Sequence, residues 1–298
     1  MSLRFGIIGQ SPGNGHPYSW SAICNGYRPD AMALCGFPAI PDYLARQQWP
    51  RDRLPGIRVT HVWAQDHETA ARIALAGRIE TVVARPEDMI GHIDALLLAR
   101  DDARNHRHFA APFLRAGLPV YIDKPIALST DELDALNTMQ LRPGQIFSCS
   151  ALRFAPELRL DAETAAGIGP IRLVTGLTAG SWQTYAIHLV DPLLAMLGHD
   201  TAPRLLFSAP AGHDGRTLAL RFPDGPDVHL TAAGTEAQSP VSLRITGLHG
   251  ETRLTLTDCF GAFRTALAEF AAGVREGRSR LPAAFNRRAV SIIEMGLP

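Results

Sequence analysis

Lys124 follows a short apolar run, Val120-Tyr121-Ile122, that reads as a buried strand. Asp123 precedes it, Pro125 follows it, and a helix start comes next: Ser129 with Glu132 three residues on. A lysine so placed stands at the carboxyl end of a strand, the edge where open parallel α/β sheets bind ligands. Its ammonium can stabilise negative charge developing on an oxygen. The plainer alternative is a solvated lysine beside a strand end. A second stretch has residue types suited to an anion. Residues 4–9 read as a strand, Gln10-Ser11-Pro12-Gly13-Asn14-Gly15-His16-Pro17 as a loop, and residues 18–27 as a helix. Strand, glycine loop and helix can bring backbone amides to a phosphate. A GxGxxG pattern needs glycine at 9, 11 and 14, and the chain has Gly9, Ser11 and Asn14 there. Gly13 and Gly15 open the loop differently, and an ordinary tight turn accounts for the pattern equally well.

The elements that must position these residues follow from the hydrophobic pattern. Strands are expected over 58–63, 81–84, 93–98, 120–122 and 145–150. Helices are expected over 67–78, 104–116 and 129–141, with a short one starting at Pro86. Residues 28–56 carry five prolines and read as an irregular insertion with at most one short helix, near 43–48. Strand and helix alternate, which indicates a doubly wound parallel sheet. Beyond residue 150 the texture changes. Strands over 171–177, 205–208, 217–222, 228–232, 241–246 and 252–257 are separated by turns such as Pro223-Asp224-Gly225, the mark of an antiparallel sheet. A helix over 185–197 interrupts them, and helices over 262–276 and 287–295 close the chain. The expected organisation is a Rossmann domain over 1–125, with the 28–56 insertion, and an α+β domain over 126–298 bearing a large open sheet.

Composition narrows the partners. Lys plus Arg and Asp plus Glu are both 29 in 298 residues, so no global charge favours nucleic acid or an anionic membrane. No apolar run approaches bilayer length. The four cysteines are scattered without CxxC spacing, which points to a reduced, cytoplasmic setting. His106 and His108 are two apart on a helix and make no metal pair, and zinc-ligand spacing is absent elsewhere, so no metal site is expected. His106 is expected to orient backbone at a helix start. The alternating Leu218, Leu220 and Phe222 suggest an uncovered sheet face, and so a homodimer or homotetramer through the second-domain sheet.

Several motifs in order resemble the glucose–fructose oxidoreductase, inositol dehydrogenase and rhizopine-catabolism family (Gfo/Idh/MocA). They are the run 93–98, Asn105-His106, Ala116-Gly117 and Asp123-Lys124-Pro125. Arg153-Phe154-Ala155-Pro156, residues 167–171 and His188-Leu189-Val190-Asp191 follow. The resemblance implies a nicotinamide dinucleotide, NAD or NADP, and hydride transfer to or from a sugar, cyclitol or related polyol. It implies Lys124 at the reacting hydroxyl, His188 as the group that moves its proton, and Asp191 as orienting residue. Cofactor contacts are implied for Gly9, Gln10, Ser11, Gly13, Asn14 and Gly15 in the first loop, and for Asp101, His106 and Lys124. Asp66 is the carboxylate in reach of a ribose, giving a weak preference for NAD, although a register two residues earlier puts Ala64 there. Substrate contacts are implied for Lys124, Arg153, Trp182, Tyr185 and His188. The chain departs from the family at Thr184, usually aspartate, and at Asp101-Asp102, usually Thr-Pro. Two carboxylates near a pyrophosphate repel it unless they point away. The alternatives are an NAD-using glycosidase of the same family and a non-catalytic relative that binds a nucleotide or sugar-like ligand.

Overall fold

A computed structural model describes residues 2–198, 200–223 and 225–297; Asp224 of the expected turn lies outside them. The chain forms two compact units. The first comprises Met1–Ile126, Asp134–Ser148 and Phe263–Leu281, and the second Ala127–Leu133, Cys149–Ala262 and Pro282–Pro298.

The chain begins with β1 (Leu3–Ile8), α1 (His16–Asn25), α2 (Pro29–Met32), α3 (Ala39–Ala45), β2 (Ile57–Trp63) and α4 (His67–Ala76). It continues through β3 (Thr81–Val82), β4 (Ala95–Leu98), α5 (His106–Arg115), β5 (Val120–Ile122), α6 (Thr130–Asn137) and β6 (Ile146–Phe147). The six strands form a parallel sheet in the order β3-β2-β1-β4-β5-β6. That is the doubly wound order, with its switch point between β1 and β4. The strands are short and apolar because the sheet is buried on both faces: Phe5, Ile7, Ile8, Leu96, Leu97 and Val120 are fully inaccessible.

The second half adds α7 (Ala162–Ile168), β7 (Ile171–Thr178), α8 (Trp182–Tyr185) and α9 (Ile187–Leu197). Then come β8 (Arg204–Ala211), β9 (Gly215–Arg221), β10 (Asp227–Ala232), β11 (Ser242–Gly247), β12 (Glu251–Thr255), α10 (Cys259–Glu276) and α11 (Ala283–Met295). Its sheet runs β12-β11-β7-β10-β9-β8 and is antiparallel except for the β7–β10 pair. The expected fold class, a parallel doubly wound sheet with a second, mostly antiparallel open sheet, is the one observed.

Several local expectations are corrected. The insertion contains two short helices rather than one, α2 and α3, and α3 overlaps the expected 43–48 only at 43–45. Helix α1 starts two residues early because Pro17 fits its first turn, where a missing N–H costs nothing. The helix expected over 185–197 is interrupted at Ala186 into α8 and α9, and α7, capped by Asp161, was not expected. Leu218, Leu220 and Phe222 are not an uncovered face: they are at most 5% exposed. Alternation identifies one face of a strand but not which face is covered. Here Leu189 of α9 meets Leu230 and Leu243 over Gly176, on the face that Leu218 shares through its pairing with Leu230. Exposed apolar side chains lie instead on edge strand β8, at Leu205, Leu206 and Phe207.

Although α10 follows the second sheet in sequence, its segment from Phe263 belongs to the first unit. Phe270 packs against Phe5, Tyr121 and Phe147 at ring-centroid distances of 5.4, 5.6 and 5.7 Å. Burying one such ring contributes about 1.5–3 kcal/mol.

Candidate functional site

In the first unit the carboxyl ends of β1, β4 and β5 converge. The Ala99 amide donates to Ile8 O and the Asp123 amide to Leu98 O, so the segments leaving the three strands stay adjacent. Ser11 Oγ donates to Asp101 Oδ1 at 2.6 Å and accepts from the Asp101 amide at 3.1 Å. Asp101 Oδ2 lies 3.4 Å from Lys124 Nζ. The sequence-predicted residues Ser11, Asp101 and Lys124 are thus one connected chain, and Lys124 is only 5% exposed. Each carboxylate of Asp101-Asp102 has its own cation within the unit. Asp102 binds Arg100 through two bonds of 2.9 and 2.6 Å.

Asp123 anchors the other side. Its carboxylate meets His16 Nδ1 at 2.5 Å and accepts from Asn14 Nδ2 at 2.9 Å and from the Lys124 amide at 2.7 Å. Burial alone would raise this carboxyl. The neighbouring His16 and Lys124, with the Asn14 bond, outweigh burial and hold it well below the usual carboxylate range. The Lys124–Pro125 peptide is cis.

The loop after β1 is held through Gln10. Its carbonyl accepts from Gln65 Nε2 and Arg100 Nη1, and its amide donates to Gln65 Oε1. At the start of α1 the His16 amide donates to Asn14 Oδ1, Pro17 has no N–H, and the Tyr18 and Ser19 amides donate to Gly15 O. The first turn of the helix is therefore satisfied from within. Gly9 lets Pro17 approach, since a Cβ there would lie 2.2 Å from its Cγ. Gly13 has φ +79°, and a Cβ there would meet nothing within 4 Å. The loop tip accordingly presents bare backbone to open space, where no side chain would stand between it and a phosphate. That access comes from the loop rather than from the amides of α1.

Two other predicted residues lie apart from this chain. Asp66 caps α4, accepting from the Thr69 amide and hydroxyl at 2.8 Å each, and these bonds hold its exposed carboxylate below the usual range. Ala64, the other register, is buried directly after β2. His106 is fully buried with its ring nitrogens 3.0 Å from Ile126 O and 2.6 Å from Arg100 O, so it does hold backbone, tying two strand-end segments together.

In the second unit, His188 and Asp191 are joined by a residue the sequence reading missed, Ser150. Its hydroxyl lies 2.8 Å from His188 Nδ1, and its amide donates to Asp191 Oδ2. Ser150 lies three residues after the end of β6 and precedes the Arg153-Phe154-Ala155-Pro156 motif, a position near a strand end that was its only signal. Asp191 is fully buried. Burial pushes its carboxyl up to about 7, against the pull of Arg153 and of the Ser150 N–H. Among the described residues Asp191 Oδ1 and Arg153 Nη1 have no hydrogen-bond partner. The Arg153 guanidinium stacks 3.9 Å over Phe285. Tyr185 presents its ring edge-on to His188, 5.6 Å between centroids. Trp182 is 3% exposed and donates to Ile293 O, so its indole is committed to α11.

Among the described residues no cluster of three or more His, Cys, Asp or Glu could hold a metal ion, and no helix is long and apolar enough to cross a membrane. All four cysteines are free thiols.

A doubly wound sheet with a glycine loop after β1 and a buried lysine after β5 defines a Rossmann-type unit. Residues 32–150 match the model of the Gfo/Idh/MocA family, described as an oxidoreductase family with an NAD-binding Rossmann fold. The match covers the stretch that carries the run 93–98, Asn105-His106, Ala116-Gly117 and Asp123-Lys124-Pro125. No curated protein matches it by sequence. Among solved structures, myo-inositol 2-dehydrogenase from Lactobacillus plantarum is 16% identical, with a TM-score of 0.74 over 99% of this chain and 96% of that one. The Lactobacillus casei myo-inositol dehydrogenase in complex with NAD(H) and myo-inositol is 16% identical, with a TM-score of 0.71 over 99% and 93%. UDP-N-acetylglucosamine 3-dehydrogenase from Acidithiobacillus ferrooxidans is 17% identical, with a TM-score of 0.70 over 99% and 96%. These likenesses show a shared fold.

Proposed function

We propose that the protein is an NAD(P)-dependent oxidoreductase acting on a secondary hydroxyl of a sugar, cyclitol or related polyol, or on the corresponding carbonyl. The observation that carries this reading is the buried Lys124 ammonium at the carboxyl end of β5, linked through Asp101 to Ser11 of the glycine loop. A nicotinamide dinucleotide, when bound, supplies the hydride acceptor for oxidation and the donor for reduction. The bare loop around Gly13, with Gly9, Gln10, Ser11, Asn14 and Gly15 setting its course, receives the phosphates. Lys124 stabilises the charge that develops on the substrate oxygen. Its ammonium is held by Asp101, and its backbone amide donates to the Asp123 carboxylate. His188 binds and orients the reacting hydroxyl and exchanges its proton, with Asp191 as the buried group behind Ser150. Tyr185 and Arg153 serve the substrate side. The names of the structural neighbours, which include two inositol dehydrogenases and a sugar-nucleotide dehydrogenase, support the substrate class.

Calorimetric titration with NAD, NADH, NADP and NADPH, followed by turnover of a panel of inositols and sugars, tests the reading. Binding of at least one cofactor and cofactor-coupled turnover of a polyol are expected. Binding with net glycoside cleavage and no cofactor consumption would favour the glycosidase, and no binding at all would favour the non-catalytic relative. We further propose that the chain self-associates through the second-unit sheet, now with Leu205, Leu206 and Phe207 as the contact. Light scattering is expected to give a dimer or tetramer for the wild type and a smaller species for Phe207→Lys.

A further inference from the structure

The second unit holds a cavity of about 600 Å3, a size within the roughly 300–1,000 Å3 of small-molecule sites. It lies between the turn segment 153–160, α7, the start of β7 and α9. Ala165 of α7 and Ala195 of α9 leave the room, and Ala195 and Met196 stand beside each other on the bordering side of α9. Eight of the lining residues are apolar. The other two are Arg153 and Arg159, and no acidic residue borders the space.

An arginine stays charged at every ordinary pH and has five N–H groups to place. Arg153 is half-buried, and among the described residues its Nη1 has no hydrogen-bond partner although it is sealed from solvent. Phe285 covers one face of the guanidinium at 3.9 Å, which leaves the N–H edge for an acceptor. The nearest carboxylates in sequence, Glu157 and Asp161, are engaged elsewhere. Glu157 accepts from the Thr257 and Asp258 amides at 3.0 and 2.7 Å, and Asp161 caps α7 through the Thr164 amide and hydroxyl. Asp191 feels the charge of Arg153 but is not bonded to it: Oδ2 takes the Ser150 amide, and Oδ1 has no partner among the described residues. The cavity therefore sets apolar walls beside positive charge that the described residues leave unpaired, an arrangement that a matching anion relieves.

We propose that this cavity binds a small organic anion with an apolar body, a carboxylate or phosphate monoester whose charged end pairs with Arg153 and Arg159. A guanidinium suits both heads, because its parallel N–H groups meet two oxygens at once. The body of the ligand rests on Ile171, Ala195 and Met196. A free polyol is a poor occupant, since its hydroxyls would face apolar walls that neither donate nor accept. The site thus differs in chemistry from the one proposed for the polyol, and it stands whether or not the oxidoreductase reading holds. Arg153 is common to both, so the variants below spare it.

The test uses the full-length protein with 13C-labelled methionine methyls, titrated with octanoate, octyl phosphate, octanol and octylammonium. The Met196 signal is assigned by its loss in Met196→Leu. At least one of the two anions is expected to bind saturably and to shift the Met196 methyl, while those of Met32 and Met89, fully buried in the first unit, stay in place. The tighter of the two identifies the head group that the arginines prefer. Octanol and octylammonium should bind about tenfold more weakly or worse, the scale of one charge-assisted hydrogen bond. Arg159 is exposed, so Arg159→Met should fold normally and weaken the anion by about tenfold. Ala195→Trp, which fills the cavity, should abolish binding; Arg159→Met keeps the test decisive if that variant does not fold. Octanol that binds as tightly as octanoate would overturn the anion preference. Binding that leaves the Met196 methyl unmoved, or that is undiminished in Arg159→Met, would overturn the site, as would the absence of saturable binding by either anion.

Discussion

The two units treat buried charge in opposite ways. In the first, each carboxylate at the strand ends is partnered: Asp101 by Lys124, Asp102 by Arg100, and Asp123 by His16, Asn14 and the Lys124 amide. In the second, among the described residues, Asp191 is buried with one oxygen unpartnered, and Arg153, stacked on Phe285, likewise keeps an unpartnered nitrogen. A paired cluster keeps its charges fixed across the ordinary pH range, because neutralising one member strands the other. An under-paired carboxyl does the reverse: burial drives it toward the neutral form and brings its titration to about 7. One region is built to hold charge constant and the other to change it. That division suits a reaction in which one group stabilises an oxygen anion while another trades its proton.

Substitutions can break or sharpen this contrast. The largest effect is expected from Lys124→Met, which keeps the apolar stem and removes the ammonium. Turnover should fall about a hundredfold or more, with dinucleotide affinity by calorimetry little changed. Near-normal turnover on a verified substrate would remove Lys124 from the chemistry. Next comes Asp123→Asn, which removes the buried anion beside His16 while Lys124 keeps its pair with Asp101. A loss of about 3–5 kcal/mol at pH 7 is expected in chemical denaturation. The folded carboxyl lies below its unfolded value, so the stability it contributes is fully present above about pH 4 and is lost as pH falls further. The gap between wild type and variant should therefore narrow only in that acid range. A gap that persists unchanged at pH 2 would show that the carboxylate charge is not its source.

Asp191→Asn should have the opposite sign. The Asp191 carboxyl is raised in the folded state, so ionising it costs stability as pH climbs from about 4 toward 7. The amide still accepts from the Ser150 N–H but carries no charge. The variant should be more stable than the wild type at pH 8 by roughly 1–4 kcal/mol, with the difference shrinking toward pH 4. A variant less stable at both pH values would mean that the second region also depends on a fixed charge. The smallest effect belongs to Asp66→Ala. Losing the α4 cap should cost about 1 kcal/mol. Because both Asp66 oxygens are engaged in capping, the ratio of NAD to NADP affinity should move by less than about tenfold. A larger shift would return Asp66 to the ribose.

The parallel sheet was legible in the chain because strands buried on both faces leave continuous apolar runs such as 95–98 and 120–122. Lys124 was legible because it ends one of those runs. Ser150 was not, because its importance comes from contacts with residues about forty positions away, which no local spacing records. The covered face of the second sheet was misassigned for a related reason. Leu218 and Leu220 alternate as any half-buried strand does, and only the placement of α9 decides which side is dry. The breaks at Ala186 and in the insertion escaped because helical periodicity survives a one-residue interruption. Likewise, an amphipathic pattern over α10 says that one side is apolar but not which sheet it covers.

The return of α10 to the first unit has a consequence for how the protein is made. When residues 1–148 have left the ribosome, all six strands of the parallel sheet exist, but Phe270 has not been synthesised. At bacterial-like elongation speeds the wait for residues 263–281 is roughly 6–25 s. Throughout it, Phe5, Tyr121 and Phe147 lack one wall of their cluster. The nascent first half therefore keeps this aromatic cluster incomplete until residues 263–281 follow. A fragment cut after residue 150 inherits that condition permanently.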